Sequence, residues 1–246
     1  MRQGGKRLAM ILQRLGREVK PGATTSYLER LACELIERAG GKPSFKGYQS
    51  KHDNKPYPTA LCVSINDEVV HAPSLPSRIL RSGDIVGIDV GMLYPAKEGY
   101  YTDMAATFAV GEVSREAKKL MEVTKKSLKL AIKTIRPEST LNDIGRAIED
   151  YILDNGFSVV RDLVGHGVGT AVHEEPNVPN FSFDERADIR LKPGMVLAIE
   201  PMVNAGGYQV FTAADNLTIK TQDGSLSAHF EHTVAVTKRG HRILTE

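Results

Sequence analysis

The sequence predicts an α+β fold built from two related halves. Three observations carry that expectation. Segments with helical spacing of apolar residues give way to short strand-like runs. A helix-then-strand pattern occurs twice along the 246 residues. In each copy a carboxylate sits inside an apolar strand, and a second carboxylate sits on a later one.

The elements follow in order. Leu8, Ile11, Leu12, Leu15 and Val19 recur at three- and four-residue spacing and mark a first amphipathic helix. KPGATTSYLERLACELIERAGG reads as a turn and a second helix, with Leu28, Leu31, Leu35 and Ile36 inward and Gly40 as its stop. TALCVSINDEVVHA reads as strand, turn and strand, with Asn66 and Asp67 at the turn. DIVGIDVGML and YYTDMAATFAV are two more strands. SREAKKLMEVTKKSLKLAIKTI is a helix broken by Pro137. TLNDIGRAIEDYILDNG is another, capped by Thr140 or Asn142 and stopped by Gly156. The rest is mostly strand: GMVLAIEPMV, LTIKT and HFEHTVAVT.

The repeat is visible residue by residue. Pro21, Thr24, Arg30, Ile36 and Gly40 match Pro137, Thr140, Arg146, Ile152 and Gly156. LRSGDIVGIDV aligns with LKPGMVLAIEP, setting Gly83 against Gly194, Ile88 against Ile199 and Asp89 against Glu200. The later strands carry Asp103 and Glu231. One domain over residues 1–246 is expected, with halves at roughly 1–112 and 113–246.

Composition narrows the class. A chain that is 41% hydrophobic and 25% charged is globular and soluble, and long enough to bury a core. A net charge of +2 is too mild to argue for nucleic acid. Cys33 and Cys62 form neither a disulfide framework nor a CxxC motif, so a reducing, cytoplasmic location is expected. No apolar run reaches membrane-spanning length. The basic start MRQGGKRLAMILQRLGREV lacks the continuous apolar core of a signal peptide.

Asp89 and Glu200 lie in near-continuous apolar runs and are expected to be buried or nearly so. A buried carboxylate calls for a cation or a proton. For any one acid alone, a salt bridge to lysine or arginine explains it equally well. Four acids at matched positions converging on one point would repel unless divalent cations sat between them. His166, in LVGHGVGTAVHEEP, adds a neutral nitrogen ligand. One imidazole among oxygens suits manganese, iron(II) or cobalt(II) better than a structural zinc site. Two ions sharing carboxylates would sit about 3.5–4 Å apart and could activate water. Gly165, Gly167 and Gly169 would allow close backbone approach or positive φ.

These residues resemble the type I methionine aminopeptidases over nearly the whole chain. The shared motifs are GIDVG, YTDMAATF, GHGVGTAVHEEP, IEPMV, SLSAHFEHT and YPTALCVSINDEVVHA. The resemblance implies the pita-bread (creatinase/aminopeptidase) fold, with a central antiparallel sheet and helices outside. It implies two divalent ions, from cobalt, manganese, iron(II) or zinc, held by Asp89, Asp103, His166, Glu200 and Glu231. Asp103 and Glu231 would bridge, Asp89 would chelate one ion, and His166 with Glu200 would complete the other. Glu200 would also move protons, His173 would stabilise the oxyanion, and His71 would contact the scissile amide nitrogen. Cys62 and Tyr57 would line the methionine pocket, and Asn66 and Ser227 would help hold a monovalent cation. The implied substrate is the N-terminal methionine of nascent chains whose second residue is small. The implied setting is a cytoplasmic monomer near the ribosome, with no membrane and no nucleic-acid specificity.

The chain departs from that family in four places. It starts directly in the first helix, without the usual short leader. The turn GMLYPAKEGYY is longer, and so is the polar stretch YQSKHDNKPYP beside the methionine pocket. There is no tryptophan, and Leu217 in ADNLT stands where an aromatic usually covers the pocket, so a more open pocket is expected. Glu174 and Glu175 match no ligand role in the family. The competing readings are an Xaa-Pro aminopeptidase or dipeptidase of the same fold, a non-catalytic binding module on that scaffold, and a structural protein with one stabilising ion.

Overall fold

A computed structural model describes residues 1–49, 55–184 and 188–246. The first half holds α1 (Arg2–Gly16), α2 (Thr25–Arg38), β1 (Lys42–Pro43), β2 (Leu61–Ile65), β3 (Glu68–Val70), β4 (Ile85–Tyr94) and β5 (Tyr100–Ala109). The second holds α3 (Arg115–Thr134), α4 (Leu141–Asp154), β6 (Ser158–Val159), β7 (Gly165–Gly167), β8 (Glu174–Val178) and β9 (Val196–Ile199). It continues through β10 (Met202–Asn204), β11 (Val210–Thr212), β12 (Ile219–Thr221), β13 (Ser227–His229), β14 (His232–Thr237) and β15 (Gly240–Ile243). Every strand pair among the described residues is antiparallel.

The helices form for the reasons their spacing suggests. Leu8, Leu12 and Leu15 of α1 are buried on one face, which packs on β4 and β5. Val19 lies past the helix end but joins the same core. Leu28 and Ile36 of α2 are fully buried, while Leu31 and Leu35 pack on the core from half-buried positions. The α4 cap is Thr140, in a reciprocal capping box with Asp143, and not Asn142.

The sequence repeat is a repeat of hydrogen bonds. Thr24 caps α2 by accepting from the Tyr27 N–H, as Thr140 caps α4 by accepting from Asp143. Gly40 and Gly156, with φ of 79° and 80°, end these two helices. Gly83 and Gly194 share φ near 100°, and their N–H groups donate to the Val110 and Val236 carbonyls. Leu80 bonds Ala23 as Leu191 bonds Ser139.

Two predicted strands divide. GMVLAIEPMV becomes β9 and β10, and HFEHTVAVT becomes β13 and β14. Pro201 has no N–H to continue a ladder. At the same point the chain changes sheets: β9 pairs with β14, while β10 pairs with β13. Glu200 and Glu231 occupy the two breaks.

β5 joins the halves. The Asp103 N–H donates to Thr233 Oγ1 at 2.9 Å, and that hydroxyl donates back to the Asp103 carbonyl at 2.8 Å. Thr107 makes the same two-way exchange with the backbone of His229. The Glu231 N–H donates to the Ala105 carbonyl at 2.9 Å. Ala106 packs against the cores of both halves.

The matched caps are expected to contribute alike. Thr24→Ala and Thr140→Ala should each cost about 1 kcal/mol in urea denaturation. The double substitution should cost the sum, because the two sites share no partner.

Candidate metal centre

β4 and β5 form a hairpin in which Asp89 pairs with Ala105 and Gly91 with Asp103. That register puts Asp89 and Asp103 diagonally on one face. A side chain at 91 would run into Ser44 and Phe45 and crowd Asp103. Glycine there keeps the carboxylate in place.

The second half brings three groups to the same point. Glu200 follows β9, and its carbonyl accepts from buried Asn180 at 3.1 Å. Glu231 precedes β14 and is held by its backbone bond to β5. His166, in the middle of β7, pairs with Ala198 of β9. A Cβ on Gly165 would strike the Ala198 carbonyl, and one on Gly167 would strike Glu175. These two glycines serve close strand packing, not positive φ. Gly169 has room for a Cβ, so the expected need for glycine fails there.

Asp103, His166 and Glu231 offer ligand atoms within 4.8 Å of one another. His166 Nδ1 lies 2.9 Å from the Gly167 carbonyl, which can only accept. The ring proton is therefore on Nδ1, and the Nε2 lone pair faces Glu200 Oε1 at 3.4 Å. Asp89 and Glu200 are nearly buried, as their apolar runs implied, and the Glu200 side chain is 12% exposed. Both are partly open to a cavity, whereas Asp103 and Glu231 are 4% and 2% exposed. The latter pair lies at the joint between halves and is covered from both sides.

The cavity, about 450 Å³, is lined by all four acids and His166. His71 and His173 line it too, as do Tyr57 and Cys62. His71 holds φ at 59°, a conformation that non-glycine residues adopt at a cost. The His173 ring is 4.4 Å from that of His166, edge to face. His173, like Asp89 and Glu200, lies outside that cluster of three.

Residues 1–238 match the Metallopeptidase family M24. The chain belongs to that family. The M24 relatives include methionine aminopeptidase 1 of Bacillus subtilis, 45% identical over 100% of this chain and 94% of that one. Methionine aminopeptidase of Clostridium perfringens is 47% identical with the same coverage. The crystal structure of the methionine aminopeptidase from Thermotoga maritima matches with a TM-score of 0.93 and 41% identity, over 100% of this chain and 95% of that one. The prolidase from Pyrococcus horikoshii shares the fold at a TM-score of 0.74, but at 20% identity and over 60% of its own length. This M24 chain is an enzyme of the methionine aminopeptidase class and has the pita-bread architecture.

The electrostatics fit a divalent-metal centre of an M24 enzyme. Burial, then repulsion from neighbouring acids, holds Asp89 and Glu231 well above the usual carboxylate range. Burial and Glu200 push Asp103 up to about 7, and burial takes Glu200 to about 7. Burial also lowers His166, so its imidazole is neutral near pH 7. Asp89 Oδ1 and Glu231 Oε1 are buried without a hydrogen-bond partner. Orphaned carboxylate oxygens beside a neutral imidazole lone pair are the donor set a divalent cation takes.

Several expectations change in detail. The longer turn after Asp89 is mostly ladder, because β4 and β5 stay paired out to Tyr94 and Tyr100. In the stretch 48–58, residues 50–54 lie outside the described residues. Its base is closed, since Tyr57 N–H donates to the Tyr48 carbonyl and Gly47 N–H to that of Tyr57. Leu217 does line the cavity. Glu174 clamps the loop between the histidines, accepting from the Thr170 and Ala171 N–H groups at 2.6 and 2.7 Å. Glu175 is exposed and bonds the Asn177 N–H. Asn66 spends its side chain on Asp84 and Ile85, and its carbonyl accepts from the Ser227 N–H.

Sequence reasoning missed His229 and Tyr48. His229 is 3% exposed, and its Nε2 lies 3.5 Å from Glu200 Oε2. Burial lowers it to about 3, so it stands as a neutral ring against the carboxylate. No local signal marks it, because the chain leaves β13 at His229 and strand alternation does not carry across the break to Glu231.

The raised carboxylates set a pH dependence for the ion-free protein. Folded Asp103 keeps its proton up to about pH 7, whereas the unfolded chain releases it near 3.8. Between those values the folded state binds more protons, so this group's contribution to stability falls as pH rises. Relative to Asp103→Asn in EDTA, the wild type should lose stability from about pH 4 to about pH 7 in urea denaturation. A difference independent of pH would contradict the burial of this carboxyl.

Proposed function

We propose that this enzyme hydrolyses the bond after an N-terminal methionine, in peptides and nascent chains, when the second residue is small. The observation that carries the reading is five metal-type donors opening onto a cavity with an apolar wall. Asp89, Asp103, His166, Glu200 and Glu231 form one side; Phe45, Tyr57, Cys62 and Leu217 contribute to the other. An unbranched thioether suits such a wall.

Asp89, Asp103, His166, Glu200 and Glu231 would hold two divalent ions. Bound there, they supply Lewis acidity toward the scissile carbonyl and toward water. The other steps belong to the chain. Glu200 takes the proton from the attacking water and returns it to the departing amine. His173 donates to the oxygen on which negative charge develops. His71 contacts the scissile amide nitrogen, and the free α-amine is read beside the acids.

The donor set suits cobalt(II), manganese(II), iron(II) or zinc(II), and cellular supply selects among them. A monovalent cation near Asn66 and Ser227 would be held through backbone carbonyls. Among the described residues no helix is long and apolar enough to cross a membrane. The reading assigns the enzyme to the cytoplasm, as a monomer meeting nascent chains near the ribosome.

The test is a peptide assay with paired substrates across several metals. Methionine should be released from Met-Ala-Ser and scarcely from Met-Arg peptides. A chelator should abolish release, and added manganese or cobalt should restore it. His166→Ala and Glu231→Ala should each lower kcat/KM by more than about a hundredfold, since even residues that only support a metal ligand cost 10–100-fold. Cleavage of Ala-Pro substrates in place of Met-Ala would favour the Xaa-Pro reading.

A further inference from the structure

We infer that Tyr48 is a positioning residue that fixes the tautomer of His173, keeping the ring proton on Nε2. The inference rests on the reading of His173 as the donor to the developing oxyanion.

The Tyr48 hydroxyl lies 2.8 Å from His173 Nδ1, and the two rings meet edge to face with centroids 5.0 Å apart. A neutral imidazole has one N–H and one lone pair, and its partners decide which nitrogen carries which. A phenol is a stronger donor than acceptor, because its oxygen lone pair is drawn into the ring. Tyr48 therefore donates to Nδ1, and the proton is left on Nε2. In the other tautomer Nε2 would present a lone pair to an incoming negative charge. That ring could not stabilise an oxyanion.

Both partners are anchored, which makes the contact a device and not a chance approach. The Tyr48 N–H donates to the Phe45 carbonyl at 2.8 Å, and its own carbonyl accepts from Tyr57 at 2.7 Å. Its ring packs against the small cluster of Phe45, Cys62 and Val172. The histidine side is held by the Glu174 clamp, one residue along. Orientation of a donor before charge develops is the condition for its electrostatic effect. The tyrosine comes from the first half and the histidine from the second, at the wall of the shared cavity.

The experiment is nitrogen-15 NMR of the histidine side chains in the zinc-loaded enzyme at about pH 8, where a ring of ordinary pKa is neutral. His173→Asn identifies the His173 signals. The wild type should show a protonated Nε2 and an unprotonated Nδ1, and Tyr48→Phe should move the two shifts toward each other. A proton on Nδ1 in the wild type overturns the inference, without recourse to any variant. Unchanged shifts in Tyr48→Phe overturn it as well. Kinetically, Tyr48→Phe should lower kcat about tenfold with KM within about twofold, less than the roughly hundredfold or greater loss from removing an oxyanion donor. In a His173→Asn background it should change nothing further. If His173→Asn itself leaves kcat intact, the oxyanion reading fails, whatever the NMR shows about Tyr48.

Discussion

Everything at the centre of this protein follows from the cost of placing four carboxylates where its two halves meet. Asp103 and Glu231 are almost sealed, and Asp89 and Glu200 open only onto the cavity. Burial raises the proton affinity of all four, and mutual repulsion raises it further for Asp89, Asp103 and Glu231. An assembly with such a centre needs protons or cations to fold around, and orphaned oxygens on Asp89 and Glu231 leave room for cations.

The scaffold is arranged to hold that centre still. β5 is tied to the second half through paired exchanges with Thr233 and His229 and through the Glu231 backbone. The breaks that divide β9 from β10 and β13 from β14 coincide with Glu200 and Glu231. A strand that changes sheets frees its backbone from one ladder and lets the side chain turn inward. His166 is set by different means. Glycines on either side let β7 pack close to its neighbours, and the Gly167 carbonyl orients the ring. His173 leaves the ligand cluster and enters the cavity wall, where Tyr48 meets it.

Much of this was legible in the chain because it is local or repeated. Thr140 was readable as a cap beside Asn142, and Gly40 and Gly156 as stops, because capping depends on a few adjacent residues. The doubling of Gly83 by Gly194 in the sequence is matched by φ near 100° at both and by their bonds to the Val110 and Val236 carbonyls. His229 and Tyr48 were not legible. Nothing near His229 says that Glu200, far along the chain, will face it. Tyr48 lies 125 residues from His173, at the base of a polar stretch that resembled an insertion. How completely each acid is covered was not legible either, since an apolar run reports its own strand and not what covers it.

The sequence by itself determined the elements, their twofold repetition, and the residue types that can bind a divalent ion. Those depend on periodicity, capping chemistry and ligand chemistry, which adjacent residues carry. Only the tertiary structure decided which acids are sealed, which imidazole nitrogen is left open on His166, and what His173 touches. Those outcomes depend on distances across the joint between the halves, and such distances exist only once both halves have packed.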